Sequence, residues 1–125
     1  MNSYHFIGVG LMSRKLAGMV TETKQVAEQV TRLVIESGLQ IVSQTGTNFE
    51  GGGDTLIWIL AESHLVVHLW TSEGFATIDL HICDYQASNL ERAMHLKESL
   101  NEFCFNPEHV YWQELTLPQP ERVAG

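Results

Sequence analysis

The chain is poor in positive charge and in cysteine, and it has no long apolar run. Seven Lys and Arg face fifteen Asp and Glu, a formal net charge of −8, so there is no basic surface for a nucleic-acid backbone or an anionic membrane. A cationic ligand suits this balance better. No stretch approaches the roughly 20 apolar residues of a membrane span, and no N-terminal segment joins basic residues to an apolar run as a signal peptide does. A cytoplasmic protein is expected. Cys83 and Cys104 are the only cysteines, too few for a disulfide scaffold and without the CxxC spacing of zinc or redox sites, so each is expected as a free thiol. Internal repeats and low-complexity segments are also missing.

What is present suits one domain: 125 residues, 44% hydrophobic and 18% charged, are enough for a real core. Residues 4–11 (YHFIGVGL) favour a strand. Across residues 21–37, Val26, Ala27, Val30, Leu33 and Val34 recur at helical spacing, with Thr21 placed to cap the start and Gly38 the end. Residues 39–43 read as a short strand, and TGTNFEGGGD (45–54) as a loop, because three consecutive glycines carry a large backbone-entropy cost. Strands follow over 55–61, 64–70 and 75–83, the last two forming a hairpin around TSEG (71–74). Ser88-Asn89-Leu90-Glu91 has the pattern of a capping box, and it opens a second helix with Leu90, Ala93, Met94 and Leu100 on one face. Lys97 falls within that face, where its stem can pack while its ammonium reaches outward. Residues 110–115 read as a last strand, and the tail from Pro118 as frayed. The pattern predicts an α+β fold, a two-layer sandwich with an antiparallel sheet and two helices on one face. The other face is free for water or for another copy of the chain.

Parity sharpens the hairpin. Leu65, Val67 and Leu69 share one face of their strand, as Ala76, Ile78, Leu80 and Ile82 share one face of theirs. If these apolar sets meet, His64 and His68 lie on the opposite face with Thr77, Asp79, His81 and Cys83. Cys83 then falls close to Ser63, whereas His68 is four residues beyond His64, roughly 13 Å along a regular strand. A bulge, or a break beside Ser63, would be needed to bring all three together. The three histidines have no carboxylate or thiolate to complete a zinc set at standard spacing, so no metal is expected.

The run AESHLVVHLW (61–70), followed by GFATIDLHIC (74–83), resembles the short prokaryotic form of S-adenosylmethionine decarboxylase, a self-cleaving pyruvoyl enzyme of polyamine synthesis. The likeness extends from the first helix to the second, without gaps over 39–83. It implies cleavage between Glu62 and Ser63 into chains 1–62 and 63–125, with Ser63 becoming the pyruvoyl group that forms a Schiff base with the substrate amine. No added cofactor is implied. By the same resemblance His68 is the base of the processing step, Thr55 stands where the family carries a serine that assists it, and Cys83 is the proton donor. Such groups are what the chemistry needs: serine is a weak nucleophile unless neighbours activate it, and histidine titrates near neutral pH.

Substrate-binding residues match less closely. Phe49 stands where the family stacks an aromatic ring on adenine. Thr71-Ser72-Glu73-Gly74 replaces the family's proline-glutamate-tyrosine-glycine, so Ser72 occupies the place of the ribose-binding glutamate and Glu73 lies one residue along. The first strand, HFIGVGLM (5–12), lacks the family's acidic residue after its histidine. The expected substrate is S-adenosylmethionine, leading to spermidine, with a homodimer of processed protomers as the working form. The alternatives are a pyruvoyl-dependent arginine or ornithine decarboxylase acting on a cationic amino acid, or an uncleaved regulatory paralogue.

Overall fold

A computed structural model of the chain describes residues 1–120. Six strands and three helices follow one another as β1 (Asn2–Met12), α1 (Arg14–Ala17), α2 (Thr23–Glu36), β2 (Ile41–Asn48), β3 (Asp54–Leu60), β4 (Ser63–Trp70), β5 (Phe75–Cys83), α3 (Leu90–Cys104) and β6 (Phe105–Pro118). The strands form one antiparallel sheet in the order β2-β3-β4-β5-β1-β6. The α+β sandwich is therefore as expected, except that a third helix, the single turn α1, joins the other two. Ser13 caps that turn, its Oγ accepting from Leu16 N at 3.0 Å.

One face of the sheet and the helices enclose the core. Tyr4, Phe6, Leu56, Trp58, Leu65, Val67, Ile78 and Leu80 bury their side chains against Val26, Val30 and Val34 of α2 and Leu96 and Leu100 of α3. Period-two alternation in the strands and helical spacing in α2 point these residues at each other, and burying each large apolar side chain contributes about 1.5–3 kcal/mol. Trp58 has no exposed surface, and its Nε1–H donates to Thr31 Oγ1 of α2 at 2.9 Å. The hairpin register is the one parity predicts: Leu65 opposes Leu80, Val67 opposes Ile78 and His64 opposes His81.

Several boundaries move. β2 runs on to Asn48 and α2 begins at Thr23 behind Glu22, so Thr21 is not the cap. Residues 45–48 pair with β3 although they are polar, because an edge strand is held by its backbone and needs no buried side chains. The capping box does not close: Asn89 is the N-cap, without a side-chain capping bond, and the carboxylate of Asp84 accepts its N–H at 2.8 Å. Ala93 and Leu100 face the core as expected, but Leu90 and Met94 are exposed and Leu96, Phe103 and Cys104 complete the buried stripe. Lys97 sits with Nζ 5.2 Å from the Trp112 ring centre and 3.3 Å from Glu114. β6 is far longer than residues 110–115, and Pro118 pairs with Asn2 on the edge of the sheet, where a missing N–H costs nothing. The fraying expected from Pro118 is not found at Pro118 itself or at Gln119, whose Nε2 donates to Asn2 O at 3.0 Å; residues 121–125 lie outside the described residues. Among the described residues, no helix is long and apolar enough to cross a membrane.

Asp84 locks the end of β5. Its carboxylate accepts from Asn2 N, Tyr4 Oη and Asn89 N at 2.8–2.9 Å. Burial pushes its pKa up, but these hydrogen bonds and the N-terminal ammonium outweigh that and hold it below the usual value. A lowered folded-state pKa stabilises the fold above the ordinary carboxylate range, and that stabilisation is lost as pH falls through the lowered value. Asp84→Asn is expected to cost about 1–3 kcal/mol near neutral pH, with the deficit shrinking in acid. Urea unfolding at pH 7 and pH 3 measures it.

Candidate active site

The turn between β3 and β4 is two residues long, Ala61-Glu62, and it delivers Ser63 at φ 149°. That conformation is rare for a residue with a side chain and stores about 1–3 kcal/mol of strain. Hydrogen bonds hold the turn in place. The Glu62 carbonyl accepts Cys83 N–H at 2.8 Å, and Ala61 N–H donates to Gln40 O at 2.9 Å. The Glu62 carboxylate accepts Gln40 N–H at 3.1 Å. The strained serine and its preceding carbonyl are therefore fixed beside the end of β5.

The neighbour of the Ser63 hydroxyl is His64, with Oγ 3.3 Å from Nδ1. His68 instead meets Thr55, its cross-strand partner, with Nδ1 2.9 Å from Oγ1. β4 keeps an unbroken register with both neighbours from Ser63 to Trp70, so the bulge or break that would gather the site in one chain does not occur. Five regular residues separate Ser63 from His68, roughly 16 Å. Two half-sites result, Ser63 with Cys83 at one end of the strand and Thr55 with His68 at the other.

Thr55 and His68 line a cleft of about 470 Å³ whose other walls include Phe49, Glu50, Asp54 and Trp70. Phe49 is half-exposed at its rim. Trp70 is braced by a stacked Phe75 with ring centres 5.4 Å apart. Asp54, buried beneath the glycine loop, accepts from Thr23 Oγ1 at 3.0 Å and from Asn48 Nδ2, which ties the cleft to α2. Glu73 is absent from the cleft lining; it lies on the TSEG turn, where it accepts from Ser72 Oγ at 2.9 Å. The sheet face bearing both half-sites also exposes Ile7, Val9, Leu11, Ile59, Tyr111 and Leu115.

Around Cys83 the structure joins to His81 two groups that the sequence did not single out, Ser3 and His5. Ser3 Oγ lies 3.4 Å and His81 Nε2 3.5 Å from Cys83 Sγ, and His5 stacks on His81 with ring centres 3.8 Å apart. His5 joins the set only because β1, first in the chain, is inserted beside β5. Burial lowers the His81 pKa, the neighbouring His5 and His64 lower it further, and Asp79 opposes them. Among the described residues, no three His, Cys, Asp or Glu side chains converge as metal ligands.

The family model for S-adenosylmethionine decarboxylase matches residues 14–115. The chain belongs to the S-adenosylmethionine decarboxylase family. An S-adenosylmethionine decarboxylase proenzyme of Thermotoga petrophila is 34% identical over 111 residues, 84% of this chain and 85% of that one. A proenzyme of the same name from Symbiobacterium thermophilum is 28% identical over 81 residues, 65% of this chain and 61% of its own length. The fold matches the crystal structure of the adenosylmethionine decarboxylase from Aquifex aeolicus VF5 with a TM-score of 0.78 at 20% identity, covering 98% of this chain and 96% of that one.

Proposed function

We propose that the protein is a self-cleaving pyruvoyl decarboxylase of S-adenosylmethionine, cut between Glu62 and Ser63 and active as a pair of copies packed sheet to sheet. The observation that carries this is the strained Ser63 directly after a carbonyl already held by the Cys83 N–H. Attack of Ser63 Oγ on that carbonyl breaks the Glu62–Ser63 amide and forms an ester. The negative charge that develops on the carbonyl oxygen falls on the Cys83 N–H, a preorganised donor. Removal of the Ser63 Cα proton then expels the Glu62 carboxylate, and hydrolysis with loss of ammonia leaves pyruvoyl at the head of chain 63–125, while chain 1–62 ends in a free carboxylate.

His68 is the base that suits the elimination, with Thr55 orienting its ring, but neither reaches Ser63 within one chain. Two copies facing each other with strands running in opposite directions place the Thr55–His68 end of one over the Ser63–Cys83 end of the other. The same packing covers the exposed apolar face. It also joins the reactive end of one copy to the cleft of the other, where Phe49 and Trp70 offer flat apolar surface to an adenine ring. Pyruvoyl at position 63 supplies the electron sink for loss of the substrate carboxylate. Cys83 then delivers a proton to the α-carbon.

The test is intact mass after purification, followed by carbon dioxide release from S-adenosylmethionine, arginine and ornithine. Two fragments meeting at Glu62-Ser63, with release from S-adenosylmethionine, are expected. A single chain after long incubation overturns self-cleavage; release only from an amino acid overturns the substrate. Cys83→Ala keeps the backbone N–H and is expected to cleave normally while its kcat falls about a hundredfold, the lower end of what a positioned acid contributes. Steady-state rates on the cleaved variant check this.

A further inference from the structure

Three imidazoles converge on the Cys83 end of the sheet, one from each of three strands, and the scheme above uses none of them. The registers set His5 of β1 and His64 of β4 on either side of His81 of β5. His5 stacks on His81 at 27° between planes, and His64 meets it edge-on with ring centres 5.3 Å apart. The braced ring presents Nε2 to Cys83 Sγ at 3.5 Å, while Ser3 Oγ holds the sulfur from β1 at 3.4 Å.

We propose that His81, braced by His5 and His64, positions the Cys83 sulfur and returns to it the proton spent in each turnover. This rests on the reading of Cys83 as proton donor. Decarboxylation replaces a C–CO₂⁻ bond by C–H and so consumes one proton. When sulfur supplies it, the S–H bond breaks, the C–H bond forms, and a thiolate remains. A proton from solvent taken up by His81 passes from Nε2 to that thiolate, restoring the thiol and leaving a neutral imidazole.

The titratable groups facing His81 are His5 from β1, His64 from β4, and Asp79 and Cys83 on its own strand; the helices lie across the other face. Burial and the two imidazoles lower its pKa, with only Asp79 opposing, so the ring holds a proton less tightly than a free imidazole does. After turnover the thiolate 3.5 Å away favours the imidazolium, and the preference reverses at the moment the proton is needed.

His81→Phe keeps a ring to stack and removes Nε2. It is expected to cleave into the same two fragments and to hold KM within about twofold, while kcat falls about tenfold, a modest share of acid–base catalysis. The fall of wild-type kcat with rising pH through the His81 titration should vanish from the variant. A purely structural role would not remove that limb. A second arm needs no turnover: in uncut Ser63→Ala protein, iodoacetamide alkylation of Cys83 is followed by mass across pH. Cys104, buried with its thiol pushed up to about 12, stays unmodified. Adding His81→Phe is expected to change the Cys83 rate at neutral pH at least threefold and to leave a single thiol ionisation. Identical alkylation profiles with and without His81 overturn the proposal, as does an unchanged kcat–pH profile. Failure of wild type to cleave would overturn the self-cleavage reading instead, and the alkylation arm would still decide whether His81 governs Cys83.

Discussion

Ser63→Ala is expected to yield one uncut chain with no measurable decarboxylase activity. Alanine leaves the Glu62 carbonyl and its Cys83 N–H donor in place but removes the hydroxyl proposed to attack that carbonyl. The effect is complete, because no pyruvoyl group forms and the electron sink is missing altogether. Strain and chemistry can be separated at the same residue. Alanine at φ 149° carries the same penalty as serine, whereas glycine adopts that conformation freely. Ser63→Gly should therefore also remain uncut, yet unfold at higher urea by about 1–2 kcal/mol relative to Ser63→Ala. Intact mass and urea midpoints of the two variants measure both effects. Activity in uncut Ser63→Ala would overturn the enzyme class.

The second large effect concerns complementation. His68→Ala alone is expected to stay uncut, since His68 is the proposed base, and Ser63→Ala alone to stay uncut for want of a nucleophile. Co-expressed, the two variants form mixed pairs in which one site has Ser63 from the first variant and His68 from the second, and the other site has neither. The chain carrying His68→Ala should then be cleaved, in about half its copies if equal amounts of the two chains pair at random. Mass spectrometry distinguishes the variants directly. Cleavage of His68→Ala in isolation would remove His68 as the base, and no cleavage in the mixture would show that the half-sites do not meet across two copies. The prediction stands on the unbroken register of β4, which holds Ser63 and His68 at opposite ends of one strand.

Much of this architecture was legible along the chain. Alternation over 65–69 and 76–82 determined the hairpin register, and helical spacing over 26–34 determined α2, because a side chain on the wrong face of either element would take apolar surface out of the core. Boundaries were less legible where backbone pairing overrides side-chain character, as in β2, or where an edge strand tolerates proline, as in β6. The capping pattern at Ser88 misled because a buried carboxylate from another element, Asp84, satisfies the Asn89 N–H.

The active site divides in the same way. The sequence by itself supplied the candidates for the chemistry: a serine in a polar break between apolar runs, a histidine and a cysteine at family spacing, and an aromatic beside a glycine loop. Only the tertiary structure decided which groups meet. It placed His64 rather than His68 against Ser63, moved Glu73 away from the cleft, and brought His5 and Ser3 from the first strand to Cys83, some eighty residues later. The physical reason is that residue type and spacing along a strand are local properties, whereas the distance between two side chains depends on which strands pair, in what order and in what register.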